Sequence, residues 1–239
     1  MTKRTYRSKG GKKRAEEQRK RAIILLVIAG VAALALIIIG FRVIGGKKET
    51  KPVEVATEES QGEELSMEGA PPLDVQLLTP NPYSRPQIEL REIKGVVIHY
   101  IANPGSTAQA NRDYFENLKD TQTTKASSHF VVGLEGEIIQ CIPSKEIAYT
   151  SNDRNVDTLS IETCHPDETG EFTTATYDAV VELTGWLCYR HGLTASDVIR
   201  HYDVTGKICP KYFVDNEDAW EQFLRDVQSD IDGRANENN

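Results

Sequence analysis

The strongest hydrophobic feature of the chain is Ala22–Phe41, AIILLVIAGVAALALIIIGF, a run of 20 residues without a charge. At about 1.5 Å per residue it spans ~30 Å, the thickness of a bilayer's hydrocarbon core. Backbone groups in lipid must pair within their own segment, so the run predicts a transmembrane helix. A cleaved leader would have an apolar core of about 7–15 residues and a small-residue cleavage site. This run is longer, and Phe41-Arg42-Val43-Ile44 is a poor cleavage context. An uncleaved anchor over 22–44 is therefore expected. Through 45–82 the apolar positions thin out, and Glu49, Glu54, Glu58, Glu59, Glu63, Glu64 and Glu68 recur among Gly, Pro, Ser and Thr. Such a stretch buries too little apolar surface to offset its ordering entropy, and it reads as a flexible acidic linker.

From about Tyr83 the pattern becomes that of a folded domain, expected over 83–230 and followed by a disordered tail over 231–239. Gly95–Tyr100 (GVVIHY) is a short β-branched apolar run, a buried strand. Ser127–Gly133 and Glu137–Pro143 read as strands joined across Leu134-Glu135-Gly136, a hairpin signal. Thr158–Cys164 (TLSIETC) reads as a fourth strand. Ser106 or Thr107 can cap a helix whose face is Ala110, Tyr114, Phe115 and Leu118. Thr173 or Thr174 can cap another that ends near Gly192, its face Tyr177, Val180, Val181, Thr184, Leu187 and Cys188. A last helix runs from about Asn216 through Trp220, Phe223, Leu224 and Val227. Strands and helices interleave, which predicts an α/β domain with a central mixed β-sheet flanked by helices.

Charge changes the picture of where this domain works. The first 21 residues hold ten Lys or Arg against Glu16 and Glu17, although the whole chain has a net charge of −8. A basic stretch ahead of an anchor places the N-terminus in the cytoplasm, so 1–21 reads as a basic cytoplasmic tail and the domain after the linker lies outside. The remainder is strongly acidic, which argues against nucleic acid as a partner. A monomer is the expected state.

Three residues could hold a metal: His99, His201 and Cys209. His99 closes an apolar strand, where an α/β sheet exposes side chains to its ligand crevice. His201 and Cys209 lie eight apart in HYDVTGKIC, a loop with Gly206 to turn it and Pro210 to stiffen it. Zinc accepts imidazole nitrogen and thiolate sulfur, and an open catalytic site uses three protein ligands.

Four blocks carry a family resemblance. They are VVIHY with His99, SSHFVVG with His129, LSIETC with Glu162, and RHYDVTGKICP with His201, Lys207 and Cys209. In this order, over about Tyr83 to Val227, they resemble the type-two zinc-dependent N-acetylmuramoyl-L-alanine amidases, whose fold is shared with peptidoglycan recognition proteins. The resemblance implies Zn2+ held by His99, His201 and Cys209. It implies Glu162 as catalytic base and Lys207 as the group that stabilises the developing oxyanion. It further implies peptidoglycan as substrate, cut between N-acetylmuramic acid and L-alanine. One branch has a catalytic Tyr just before the histidine of the second block. Ser128 stands there in this chain, so that role is absent, and Glu162 fits the other branch. The chemistry is consistent in itself: a Lewis acid polarises the carbonyl, a carboxylate moves a proton to the leaving amine, and a cation meets the new negative charge.

Other polar residues have quieter readings. His129 lines the cleft or packs behind it and is not counted as a ligand. Asp203 reads as a loop cap in preference to a group that orients a ligand imidazole, His191 as a cation favoured at a helix C-terminus, and for His165, in a turn with Pro166, the sequence does not decide whether it touches substrate. Among Cys141, Cys164, Cys188 and Cys209, a bridge between Cys141 and Cys164 competes with free thiols. A non-catalytic peptidoglycan receptor on the same fold is the alternative function. Receptors of that kind typically lose the third ligand, which Cys209 supplies here.

Overall fold

The computed structural model describes residues 68–237. The expected basic tail, the anchor and most of the linker lie outside the described residues. Among the described residues no helix is long and apolar enough to cross a membrane.

Six strands form one sheet: β1 (Leu73–Val75), β2 (Val96–Tyr100), β3 (Phe130–Val132), β4 (Ile138–Gln140), β5 (Leu159–Thr163) and β6 (Val198–Arg200). Their order is β1-β4-β3-β5-β2-β6. β3 and β4 pair antiparallel across the predicted hairpin, with Gly136 at φ +82° in its turn. The other neighbouring pairs are parallel. The expected mixed sheet is therefore present, and β2 reads as a continuous apolar run because parallel strands are covered on both faces.

Among the described residues five α-helices accompany it: α1 (Ala108–Thr121), α2 (Thr174–His191), α3 (His201–Thr205), α4 (Lys211–Asp215) and α5 (Glu217–Glu237). Side chains on alternate faces of β3 divide the core. Phe130 and Val132 join Val180, Leu183 and Leu187 of α2 and Phe223 and Val227 of α5, whereas Val131 joins Phe115 and Leu118 of α1. The Thr107 hydroxyl accepts from the Ala110 N–H and starts α1. The Thr173 hydroxyl does the same for Thr176 at the start of α2, and Gly192, at φ +65°, ends it.

Several expectations shift. Folded structure begins before Tyr83, since β1 lies inside the stretch read as linker. It also continues beyond 230, since α5 runs to Glu237 across most of the stretch read as tail. Ile231 supplies the reason for the second, being buried in the main core cluster. The buried face of α1 is Ala108, Asn111, Phe115 and Leu118, with Ala110 and Tyr114 exposed. The helix is rotated because Asn111 turns inward, where its amide donates to the Ser106 hydroxyl and the Thr107 carbonyl. All four cysteines are free and buried, so the considered Cys141–Cys164 bridge is not formed.

The segment between β1 and β2 is fastened by a buried ion pair. The Arg85 guanidinium meets the Glu146 carboxylate through Nη2 at 2.6 Å and Nε at 2.9 Å, and Nη1 donates to the Leu78 carbonyl at 2.9 Å. Removing one partner leaves the other charge buried and unmatched. Arg85→Met is expected to lower unfolding free energy by about 3 kcal/mol, read from urea denaturation. Arg85→Met combined with Glu146→Leu is expected to recover much of that loss.

Candidate metal centre

Parallel pairing sets up the site. Strands β5, β2 and β6 are adjacent and run the same way, so their C-terminal ends lie together. His99 on β2 is the register partner of Glu162 on β5. His201 is the first residue of α3, directly after β6. Gly206, at φ +76°, ends α3, and the chain then returns so that the Tyr202 N–H donates to the Cys209 carbonyl at 2.9 Å. This turn carries Cys209 back beside the two histidines.

Arg200 stiffens the turn. It is buried, donates to both carboxylate oxygens of Asp203, to the Phe213 carbonyl at 3.0 Å and to Glu217 at 2.7 Å, and lies over the Trp220 ring. Asp203 also accepts the Arg200 N–H at 2.8 Å. Asp203 is thus the expected cap, holding the start of α3.

His99, His201 and Cys209 converge, with one ligating atom from each within 4.8 Å of the others. All three residues are buried. The imidazole rings meet edge to face at 4.7 Å, and Cys209 Sγ is 3.8 Å from His99 Nδ1. Bonds of about 2.0 Å to nitrogen and 2.3 Å to sulfur around a tetrahedral zinc place two such ligands about 3.5 Å apart. His201 Nδ1 is buried and has no hydrogen-bond partner. An unpaired lone pair beside a second imidazole and a thiol is the donor set that zinc takes, and the residues fit the ion.

The electrostatics agree. Burial first, then the neighbouring His201 and the Lys207 charge, hold His99 well below its usual pKa. Burial and Lys207 lower His201. Both rings are neutral near pH 7, with lone pairs to offer. Burial, then the Glu162 charge, push the Cys209 thiol up to about 12. Binding a cation there requires the thiol proton to leave.

Glu162 is half-buried, and its Oε2 has no hydrogen-bond partner. Burial pushes its carboxyl up to about 8, against the Lys207 charge. Lys207 is exposed, in the turn between α3 and Cys209. The five residues singled out in the sequence thus come to one end of the sheet.

His129 does something else. Its Nδ1 accepts the Ser160 N–H at 3.0 Å, so Nε2 carries the proton and donates to the Glu146 carbonyl at 2.9 Å. It is a satisfied core residue behind the cleft. Ser128 is likewise buried, donating to the Ser160 carbonyl at 3.0 Å. His165 stacks on Tyr100 and its Nδ1 lies 2.7 Å from the Asp167 carbonyl. His191 differs from the expected cation, since burial and the adjacent Arg190 lower its pKa.

Two residues at the site escaped the sequence reading. Ser151 Oγ is 3.0 Å from His99 Nε2, and Asn152 Oδ1 is 3.0 Å from His201 Nε2. Both stand at the start of a 3-10 turn over Asn152–Val156. The polar run Thr150-Ser151-Asn152-Asp153 signals a turn, but nothing in it tells which way the side chains face.

Comparison with known proteins places this geometry. The family described as N-acetylmuramoyl-L-alanine amidase matches residues 89–212, just over half of the 239-residue chain. The N-acetylmuramoyl-L-alanine amidase CwlL of Bacillus licheniformis is 36% identical over 162 residues, 62% of this chain and 44% of that protein. The amidase BlyA of Bacillus subtilis (strain 168) is 31% identical over 176 residues, 65% of this chain and 46% of that protein. The chain thus spans under half the length of these curated relatives. Among solved structures, the catalytic domain of XlyA aligns with TM-score 0.54 at 25% identity, covering 64% of this chain and 99% of that one. PlyL aligns with TM-score 0.58 at 21% identity, covering 67% and 99%, a likeness of fold.

Burial lowers the pKa of His129 to about 4, from 6.5. A depressed imidazole contributes stability that is complete above pH 6.5 and is lost as pH falls toward 4. A shift of this size corresponds to a loss on the order of 3 kcal/mol. Urea denaturation at pH 7 and pH 4 is expected to show His129→Gln losing less stability between the two than wild type.

Proposed function

We propose, since this chain belongs to the N-acetylmuramoyl-L-alanine amidase family, that it hydrolyses the amide between N-acetylmuramic acid and L-alanine in peptidoglycan. The observation that carries this reading is the convergence of His99, His201 and Cys209 beside an unpaired buried carboxylate oxygen of Glu162. His99, His201 and Cys209 would hold zinc, which supplies Lewis acidity to the scissile carbonyl and to the attacking water.

The chain's own residues then have separate tasks. Glu162 Oε2, which no protein group occupies, takes the proton of the attacking water and delivers it to the leaving amine. Lys207 presents its ammonium to the oxygen that becomes negative, and its exposure lets it approach substrate at the cleft mouth. Arg200 and Asp203 keep the turn that bears His201 and Cys209 in place.

The working place is also a proposal. The uncharged run Ala22–Phe41, after ten basic residues, supports a single-pass anchor with the N-terminus in the cytoplasm and the catalytic domain facing the cell wall. The acidic remainder of the chain argues against a nucleic-acid partner.

Purified full-length chain incubated with peptidoglycan is expected to release stem peptides with a free L-alanine N-terminus. Glu162→Gln is expected to keep its bound zinc and its attachment to the wall while release slows by at least about 100-fold. Lys207→Ala is expected to slow it by a similar factor. Wall binding without any release by wild type would instead identify a receptor. Deleting 1–44 is expected to move the protein from the membrane fraction to the soluble fraction on cell fractionation. Unchanged partitioning would contradict the anchor.

A further inference from the structure

The far nitrogens of the two candidate ligand imidazoles are met by adjacent residues of one loop. His99 Nε2 faces Ser151 Oγ at 3.0 Å, and His201 Nε2 faces Asn152 Oδ1 at 3.0 Å. The amide oxygen of Asn152 only accepts, so His201 carries its proton on Nε2 and leaves Nδ1 bare. That Nδ1 is the buried atom without a partner. His99 Nδ1 faces Cys209 Sγ at 3.8 Å, and for that nitrogen to offer a lone pair the ring proton sits on Nε2, where the Ser151 hydroxyl accepts it.

The loop is built to present these two acceptors. Asn155 Oδ1 accepts the N–H groups of Thr150 at 3.0 Å and Ser151 at 2.6 Å. The Thr150 hydroxyl donates to the Ser127 carbonyl and lies 3.1 Å from Ser160 Oγ. Ser160 in turn is bonded to His129. The second sequence block therefore reaches the metal centre indirectly, through Ser160 and Thr150. Asn152 adopts φ +53°, a left-handed conformation that side chains other than Asn, Asp and Gly rarely take. Its backbone turns at the point where its side chain reaches His201.

We propose that Ser151 and Asn152 are positioning residues that fix the Nδ1-ligating tautomer and the ring orientation of His99 and His201. One loop thereby sets both imidazoles of the centre. The inference rests on the zinc reading above. Outer hydrogen bonds of this type typically change metal affinity by 10- to 100-fold.

The test uses full-length chain, loaded with Zn2+ for chelator competition and with Co2+ for the visible spectrum of the thiolate-bound ion. Asn152→Gly keeps the left-handed backbone and loses the acceptor. It is expected to weaken Zn2+ binding by about 10-fold or more and to shift the cobalt d–d bands. Ser151→Ala is expected to act in the same direction through His99. Asn152→Asp keeps an acceptor at the same place and is expected to restore affinity and spectrum. Urea denaturation of the metal-free variants checks that each folds. Asn152→Gly with wild-type affinity and spectrum would overturn the positioning role while leaving the zinc reading intact. Failure of wild type itself to bind Zn2+ or Co2+ would overturn both.

Discussion

Two imidazoles and a thiol are held against one another below the surface, and His201 Nδ1 finds no hydrogen-bond partner there. A buried polar atom left unpaired costs on the order of 1–3 kcal/mol. The surrounding fold exists to keep that arrangement in place. Parallel pairing of β5, β2 and β6 brings their C-terminal ends together, and the register that sets His99 opposite Glu162 fixes ligand and carboxylate on neighbouring strands. A slip of one residue would turn His99 to the opposite face of the sheet. The buried Arg200 holds the third element of the site by tying β6, α3 and the start of α5 together.

Two buried histidines, His99 on β2 and His129 just ahead of β3, show how environment decides role. His99 and His129 both sit in apolar runs, and both are driven toward the neutral form by burial. His129 has each nitrogen matched by protein, to the Ser160 N–H and the Glu146 carbonyl. His99 has one nitrogen matched by a hydroxyl and the other turned toward a sulfur at 3.8 Å. The first is complete as it stands. The second is disposed toward a cation.

Much of this was legible in the sequence, for identifiable reasons. β2 opens with the β-branched run Val96-Val97-Ile98, and α2 is capped by Thr173 and stopped by Gly192, so local chemistry and final structure agree. His99, Glu162, His201, Lys207 and Cys209 stand in blocks whose order carries the family resemblance. The parts that were not legible depend on tertiary contacts. β1 and β6, unlike β3 and β4, have no hairpin signal to mark them, and are strands because a neighbour pairs with them. The buried face of α1 includes Asn111, a polar residue that apolar periodicity passes over. Ser151 and Asn152 belong to a turn whose composition announces a loop and says nothing of the rings it faces.

The arrangement of the sheet has a mechanical consequence. β1 is the edge strand farthest from β6, and the chain reaches it from Glu68 and Gly69, whose carbonyls accept from Trp186 of α2 at 3.2 Å and Arg234 of α5 at 2.6 Å. Tension transmitted along the backbone ahead of Leu73 is taken up by those two bonds and by shear along the β1–β4 ladder. The strands that bear Glu162 and His99, and β6 that leads into His201, lie three or more places further across the sheet, so a pull on that side leaves the spacing of the reactive groups undisturbed.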